Sequence, residues 1–263
     1  MEEKREGVRL NRYLAETGLC SRREADRLIE SGQVRVDGRV GVLGDRVAPG
    51  TRVLVNGRDV SPVEKKVYIA LNKPVGVVCT ADPREPMNVI DYIGHSERIF
   101  PIGRLDKDSQ GLLLLTNDGE IVNRILRAAG GHEKEYVVSV DKPITPQFCE
   151  AMRRGVPILD TVTLPCRLKQ EGPCRFRLVL VQGLNRQIRR MCSAVGLQVV
   201  RLRRSAEGPV KLGMLQPGEY RELKKSEINA LRNAAMKSAG KGESRAASPA
   251  RRPGPLKKRT NSD

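Results

Sequence analysis

The order of apolar and polar positions in the first part of the chain predicts a small domain of helices and strands. Apolar residues recur at helical spacing over residues 10–14, and the capping sequence from Ser21 to Glu24 predicts the start of a second helix. Valines then alternate with polar residues around two hairpin turns, Asp37-Gly38 and Asn56-Gly57. Two short helices followed by short strands therefore predict a compact domain over residues 8–60.

A different pattern follows, in which apolar strands and amphipathic helices interleave without a regular βαβ repeat. An apolar run closed by an Asn117-Asp118-Gly119 turn is typical of a buried strand, and Thr145-Pro146 is typical of a helix start. The predicted strands are residues 67–71, 75–80, 111–116, 134–140, 175–181 and 197–203, and the predicted helices cover residues 121–126, 145–155 and 185–195. This order favours an α+β fold with a mixed or largely antiparallel sheet over residues 66–225.

Charge is the strongest feature of the composition. The chain of 263 residues carries 48 Lys and Arg against 31 Asp and Glu, a formal net charge of +17, which favours a polyanion as its large partner. With no Trp, three Phe and five Tyr, repeated aromatic stacking platforms for single-stranded nucleic acid are not expected. Residues 237–263 hold eight Lys or Arg and two acids but a single large apolar residue, Leu256. This segment is predicted to be a disordered basic tail.

Several function classes lack their usual sequence signals. No apolar run approaches the roughly 20 residues of a membrane-spanning helix, and the first ten residues lack the apolar stretch of a signal peptide. The six cysteines are scattered, and two histidines leave little material for a zinc site. Phosphate-loop, dinucleotide, serine-hydrolase and zinc-peptidase motifs are absent. We therefore expect a soluble protein of the reducing cytoplasm, with no membrane partner and no bound metal.

Arginines cluster at the two predicted helices of the first domain. Arg9, Arg12, Arg22 and Arg23 could meet phosphate oxygens or form a solvated helix face, and composition alone leaves both alternatives open. The continuous segment RLNRYLAETGLCSRREADRLIESGQVRVDGR resembles the S4-type RNA-binding module, and the resemblance extends to about residue 55. It implies RNA binding but no chemistry, because the module occurs in ribosomal proteins and RNA-modifying enzymes alike.

The densest group of polar residues is the segment from Gly103 to Gly111, which holds Asp106 and Asp108. Two carboxylates this close could serve a metal site or a glycosidase, or could belong to a solvated turn. The glycines permit close approach of the backbone to a ligand, and the apolar strand that follows would hold the loop rigidly. The residues alone leave these alternatives open.

The wider segment IGRLDKDSQGLLLLTNDGE resembles the signature of the RNA pseudouridine synthases of the small-subunit-rRNA type. Members of this family also join an S4-type domain to a catalytic domain. The resemblance extends through LNKPVG, HEKEY, VDKPIT, GVPIL and LVQGLNRQIRRMC, so it covers nearly everything except the tail. Within the family, the segments HEKEY, VDKPIT and LVQGLNRQIRRMC are most similar to the F subgroup of the 23S rRNA enzymes.

This resemblance implies roles for three residues and no cofactor. Asp106 would be the nucleophile that attacks a uridine turned out of the RNA, and Tyr136 would lie against its uracil. Arg189 would pair with Asp106 and keep that carboxylate ionised, since an opposite charge within about 4–6 Å favours the charged form. No metal or cofactor is needed, because breakage and remaking occur within one nucleotide.

The RNA-facing wall is expected to come from the segments beside these residues. Arg104 would fill or brace the gap left by the extruded base, through planar stacking and phosphate contacts. The other expected wall residues are Leu105, Lys107, Arg186, Gln187 and Ile188. Four further cations are interpreted as general phosphate contacts or solvated groups, and these are Lys73, Arg201, Arg203 and Arg204.

The whole sequence therefore predicts the conversion of a specific uridine to pseudouridine in RNA. The subgroup indicates 23S rRNA, with a tRNA as a second target. The alternatives are the same chemistry on 16S rRNA, a non-catalytic RNA-binding factor of ribosome assembly, and a glycosidase that uses Asp106 and Asp108. The sequence indicates neither the particular uridine nor the oligomeric state.

Overall fold

The computed structural model describes residues 7–127 and 132–243, which fold into two units. In the first unit, Ser21 and Glu24 form the predicted capping box: Glu24 N donates to Ser21 Oγ at 3.2 Å, and Ser21 N donates to Glu24 Oε2 at 2.7 Å. Both predicted turns, Asp37-Gly38 and Asn56-Gly57, are present between paired strands. The elements are β1 (Val8–Arg9), α1 (Leu10–Glu16), α2 (Arg22–Glu30), β2 (Val34–Val36), β3 (Arg39–Val40), β4 (Arg46–Val47), β5 (Val53–Val55) and β6 (Arg58–Asp59).

The second unit is built on one large sheet. Its elements are β7 (Tyr68–Lys73), α3 (Val89–Ile93), β8 (Phe100–Ile102), β9 (Gln110–Thr116), α4 (Gly119–Arg127), β10 (Lys134–Val140), α5 (Pro146–Arg154), β11 (Pro157–Ile158), β12 (Thr161–Val162), β13 (Arg167–Gly172), β14 (Arg175–Leu180), α6 (Gln187–Ala194), β15 (Val199–Glu207), β16 (Val210–Lys211), β17 (Tyr220–Glu222) and α7 (Lys225–Glu243). The strand order is β13-β14-β10-β15-β9-β7-β17, with β16 beside β15 and β8 beside β9. The described pairs in this sheet are antiparallel except β15 with β9. The prediction of an α+β fold with a mixed sheet is confirmed.

The large sheet carries different layers on its two faces, because alternate side chains of each strand point to opposite sides. On one face, α5 and α6 cover β10, β14 and β15 with a core that includes Phe176 and Met191, and α3 covers β7 and β9. On the other face, α4 and α7 cover β7 and β9 through residues such as Ile125 and Leu231. We call the first face, which also carries Tyr136, the inner face, and the second the outer face.

The single parallel pair joins the two halves of the sheet. Between β15 and β9, Arg203 stands in register with Gln110 and Arg204 with Gly111. Gly111 has φ +114°, and a Cβ at this position would lie 2.3 Å from the Arg204 carbonyl oxygen. Any larger residue would therefore force the two strands apart.

The structure differs from two predictions of local structure. Residues 75–80 are not a strand, because Pro74 removes an amide donor and Gly76 turns the chain at φ +94°, and this stretch forms an isolated bridge at Val78. Helix α7 continues to Glu243, so it covers residues 237–243 of the segment predicted as a disordered tail; residues 244–263 lie outside the described residues. Neither α7 nor any other helix of the described ranges combines the length and apolarity needed to cross a membrane.

Candidate active site

The Gly103–Gly111 segment, which we call the aspartate loop, runs from β8 into β9 and is held by buried contacts. Leu105 is buried in the inner-face core, and its amide donates to Cys79 Sγ at 3.3 Å. On the other side, Ser109 N donates to the Asp106 carbonyl at 3.1 Å. The backbone is thus fixed around Asp106, whose side chain remains 32% exposed.

Lys73 lies beneath the aspartate loop, which corrects its interpretation as a phosphate contact or solvated group. Its side chain is fully buried, and Nζ donates to the carbonyls of Pro74 and Val77 at 2.7 and 2.8 Å. Gly76 in the same turn donates its amide to the Lys107 carbonyl at 2.8 Å. Burial lowers the pKa of Lys73. This lysine therefore closes the 74–77 turn on which the aspartate loop rests.

Arg186 and Arg189 reach the aspartate loop, and both engage Asp108. Arg186 donates to the two carboxylate oxygens of Asp108 at 3.1 and 2.9 Å, and its Nη1 lies 4.0 Å from Asp106 Oδ2. Arg189 donates to the Asp108 carbonyl at 2.9 Å and to the Val199 carbonyl at 3.2 Å. The hydrogen bonds from Arg186 hold the pKa of Asp108 below its ordinary value. The predicted pair of Arg189 with Asp106 is not formed within 4.0 Å, because Asp108 and Val199 already engage the guanidinium.

Tyr136 lies where the two cores of the inner face meet. On β10 it stands in register with Leu178 of β14 and Arg204 of β15. Burial raises the pKa of the Tyr136 phenol, and the nearby Arg204 charge only partly offsets this effect. The phenol is therefore neutral near pH 7, and Asp106 is close enough for its charge to act on it.

A buried ion pair beside Tyr136 is the main feature that sequence reasoning missed. Arg204 and Glu207 are each 1% exposed, and their Nη2 and Oε2 atoms are 3.1 Å apart. Arg204 Nε also donates to the Leu112 carbonyl of β9 at 2.6 Å, and Glu207 lies beside Gly103 at the start of the aspartate loop. The sequence predicts a solvated or phosphate-bound Arg204, but strand alternation turns this side chain to the inner face.

The residues predicted for the RNA-facing wall divide into two groups. Three are exposed beside Asp106, and these are Arg104, Lys107 and Arg186. Three are buried, and these are Leu105, Gln187 and Ile188. Gln187 Oε1 accepts a hydrogen bond from the Leu184 amide at 3.0 Å, and Ile188 belongs to the inner-face core. At the three buried positions the side chains support the loop and α6, so backbone atoms alone remain there for the predicted RNA-facing wall.

The four arginines predicted to bind RNA in the first unit also differ in how exposed they are. Three are exposed, and these are Arg9, Arg22 and Arg23. Arg12 is half-buried, with Nε 2.7 Å from Glu16 Oε1 and Nη2 3.8 Å from Glu120 Oε2 of α4. Arg12 therefore connects the first unit to the second, and the exposed surface for a polyanion lies at the other three.

This arrangement suits attack by a carboxylate on a nucleotide. Asp106 is accessible on a rigid loop, and a neutral tyrosine ring of the same face offers an apolar surface for a base. The exposed cations around it suit the phosphates that flank a target nucleotide. In residues 7–127 and 132–243, no group of three or more His, Cys, Asp and Glu side chains is placed to hold a metal ion.

Comparison with known proteins defines the class. The RNA pseudouridylate synthase family matches residues 67–194, and the S4 domain family matches residues 8–53. The chain belongs to the RNA pseudouridine synthases of the small-subunit-rRNA type, which join an S4 domain to the catalytic domain. Its sequence is 55% identical to the dual-specificity RNA pseudouridine synthase RluF of Escherichia coli (strain K12), over 84% of this chain and 77% of that protein.

Two further comparisons agree with this assignment. The ribosomal large subunit pseudouridine synthase B of Bacillus subtilis (strain 168) is 37% identical over 86% of this chain and 96% of its own length. A crystal structure of a pseudouridylate synthase superposes with a TM-score of 0.63 at 30% identity, covering 86% of this chain and all of the other. The predicted enzyme class is confirmed, and the chain is an RNA pseudouridine synthase.

We expect Arg189→Lys to lower the single-turnover rate by about 10–100-fold, although the positive charge is kept. One ammonium group cannot reproduce the planar fork that spans the carbonyls of Val199 and Asp108. The Asp108 carbonyl then loses its hydrogen bond from Arg189, and α6 loses its hydrogen bond to the Val199 carbonyl of β15. A misplacement of about 1 Å can cost about 10²-fold in rate. The rate is measured at saturating RNA.

The matched control is Arg190→Lys on the same helix. The Arg190 guanidinium donates to the carbonyl and side-chain oxygen of Asn185 and makes no described contact with the aspartate loop. We expect this variant to keep its rate within about twofold. Equal rates for the two variants would show that the geometry of Arg189 does not position the loop.

Proposed function

We propose that the chain converts a uridine of 23S ribosomal RNA to pseudouridine, with Asp106 as the nucleophile. The observation that carries this proposal is the accessible Asp106 carboxylate, fixed by the aspartate loop on the face that presents Tyr136. Tyr136 is the proposed surface for the uracil, and Arg189 is proposed to hold the loop in place through Asp108.

The target base must first leave the RNA stack, which costs a few kcal/mol. Arg104 is exposed next to Asp106 and is proposed to stack in the gap that the base leaves. Lys107 and Arg186 would then contact the flanking phosphates. Binding energy from these contacts compensates for the unstacking of the target nucleotide.

In the chemical steps, the Asp106 carboxylate attacks the bound uridine and the bond between the base nitrogen and the sugar breaks. The base turns, and its ring carbon bonds to the same sugar carbon while the carboxylate is released. The proton on that ring carbon then leaves, and the ring nitrogen released from the sugar takes up a proton, so atoms and charge balance without a cofactor. Because its pKa is raised, Tyr136 contributes as a neutral phenol that packs against the ring and offers a hydrogen bond.

The choice of RNA is supported by the names of the relatives. The Bacillus subtilis relative is a large-subunit enzyme, and the Escherichia coli relative is a dual-specificity enzyme. We extend the large-subunit target to this chain, with a tRNA as its second RNA. Residues 8–60 would bind RNA, residues 66–225 would carry the catalysis, and the basic segment 237–263 would add phosphate contacts, all within the cytoplasm.

Pseudouridine mapping by base-specific chemical labelling tests the proposed function. Ribosomal and transfer RNA are compared from cells with and without the gene. We expect one 23S rRNA site to be lost, and to return with the wild-type gene but not with Asp106→Asn. Loss confined to 16S rRNA would overturn the target, and loss of no site would favour a non-catalytic factor of ribosome assembly.

A further inference from the structure

The outer face of the sheet is open over strands β13, β14, β10 and β15. The described helices that pack on these strands, α5 and α6, cover their inner face, whereas α4 and α7 cover the outer face over β7 and β9. Strand alternation places basic side chains on the open part, among them Arg177 and Arg203, opposite the apolar Leu178 and Leu202 of the inner face.

A cavity of about 520 Å³ lies in this open face. Its charged lining consists of four cations and two acids, and these are Arg167, Arg177, Arg203, Lys211, Glu133 and Glu135. The two acids are already engaged: Glu133 by Arg167 at 2.7 Å, and Glu135 by Arg177 at 2.5 Å and by Ser205 Oγ at 2.7 Å. The cavity therefore keeps a net positive charge.

Arg203 and Lys211 supply that charge. Neither has an acidic partner within 4.0 Å among the described residues, and Arg203 Nε is a buried donor without an acceptor. A buried donor that lacks an acceptor costs free energy, which an incoming anion would recover. A guanidinium and an ammonium on one cavity wall are suited to the oxygens of a phosphate group.

The position of the first unit indicates where such a phosphate comes from. Arg12 of that unit contacts Glu120 on α4, and α4 packs on the outer face beside the open strands. The first unit therefore contacts the second on the same face of the sheet as the cavity. The inner face of the same strand β15 carries Arg204, next to the proposed catalytic residue Tyr136.

We propose that the outer-face cavity binds a backbone phosphate of the RNA substrate, away from the target nucleotide, through Arg203 and Lys211. The inference rests on RNA as the substrate and does not depend on Asp106 as nucleophile or on which uridine is modified. The enzyme would then contact RNA on the outer face of the sheet as well as at the candidate active site on the inner face. A large folded RNA therefore gains a contact that a short stem-loop lacks.

The test is the salt dependence of RNA binding by Arg203→Gln/Lys211→Gln. Binding of full-length 23S rRNA is measured from 50 to 200 mM salt. Loss of two phosphate contacts is expected to reduce the slope of log K against log salt by about 1.4–1.8. The variant Arg203→Lys/Lys211→Arg keeps both charges and should restore most of the slope.

The matched control is Lys169→Gln/Arg175→Gln, which removes two charges from neighbouring exposed positions outside the cavity. We expect it to change the slope by less than half as much. Equal slopes for the two double variants would overturn the proposal, because bulk charge would then explain the binding. RNA binding is measured without turnover. An inactive enzyme would therefore refute the proposed chemistry, whereas the salt slopes would still show whether the cavity binds phosphate.

Discussion

Asp106→Asn is expected to lower the rate of pseudouridine formation by about 10⁴-fold or more, the scale of loss when a covalent nucleophile is removed. The amide has nearly the same shape as the carboxylate but cannot form the bond to the nucleotide. The loop contacts of Leu105 and Ser109 use backbone atoms, so the fold and RNA affinity should remain. Single-turnover conversion of RNA and an RNA binding curve measure the two effects separately.

Asp108→Asn is the matched control, because it changes the other carboxylate of the same loop. Asp108 accepts both donors of Arg186 and therefore anchors the loop to α6. We expect this variant to lose about 10–100-fold in rate, as a misplaced nucleophile does, and to keep measurable turnover. If Asp106→Asn were active and Asp108→Asn inactive, the nucleophile would be Asp108 and not Asp106.

The second large effect concerns stability. Glu207→Gln should lower the free energy of unfolding by about 3–5 kcal/mol, because Arg204 would remain buried without its acidic partner. Arg204 also donates to the Leu112 carbonyl, so the uncompensated charge lies between β9 and β15. Urea denaturation followed by circular dichroism measures the change.

An exposed ion pair provides the comparison. Glu150→Gln removes the acid that Arg154 contacts on the surface of α5, and we expect a loss of about 1 kcal/mol or less. The apolar pair Arg204→Met/Glu207→Leu should recover most of the stability lost in Glu207→Gln, since burying two matched apolar groups avoids the desolvation cost. If Glu207→Gln unfolds at the same urea concentration as Glu150→Gln, the buried pair does not stabilise this fold as argued.

The parts of this fold that sequence reasoning predicts are those governed by local signals. The capping box at Ser21 and the apolar strand ended by Asn117 each need only neighbouring residues to be recognised. Residues 75–80 show why such signals fail, because their alternation fits a strand while the structure uses them as a turn beneath the aspartate loop. Helix α7 is polar and alanine-rich, and Leu231 is fully buried among those of its side chains that the structure describes, so its periodicity is weak.

The sequence predicts which residues form the candidate site, but it does not predict which groups those residues contact. The resemblance singles out Asp106 and Tyr136, yet which carboxylate Arg189 engages depends on how α6 docks against the loop. Arg204 and Lys73 look like surface charges in the sequence because nothing local indicates burial. Their roles follow from strand order, which brings distant segments together and is not encoded in spacing.

Asp106 and Tyr136 belong to different halves of the large sheet. Asp106 precedes β9, whereas Tyr136 is on β10, and the short parallel contact at Gly111 and Arg204 joins the two halves. On the inner face each half has its own core, and Tyr136 packs against both cores. A small shift between β9 and β15 would change the distance between the Asp106 carboxylate and the Tyr136 ring while both halves of the sheet stayed folded. The alignment of the candidate site therefore depends on the contact between β9 and β15, which includes the hydrogen bond from Arg204 Nε to the Leu112 carbonyl.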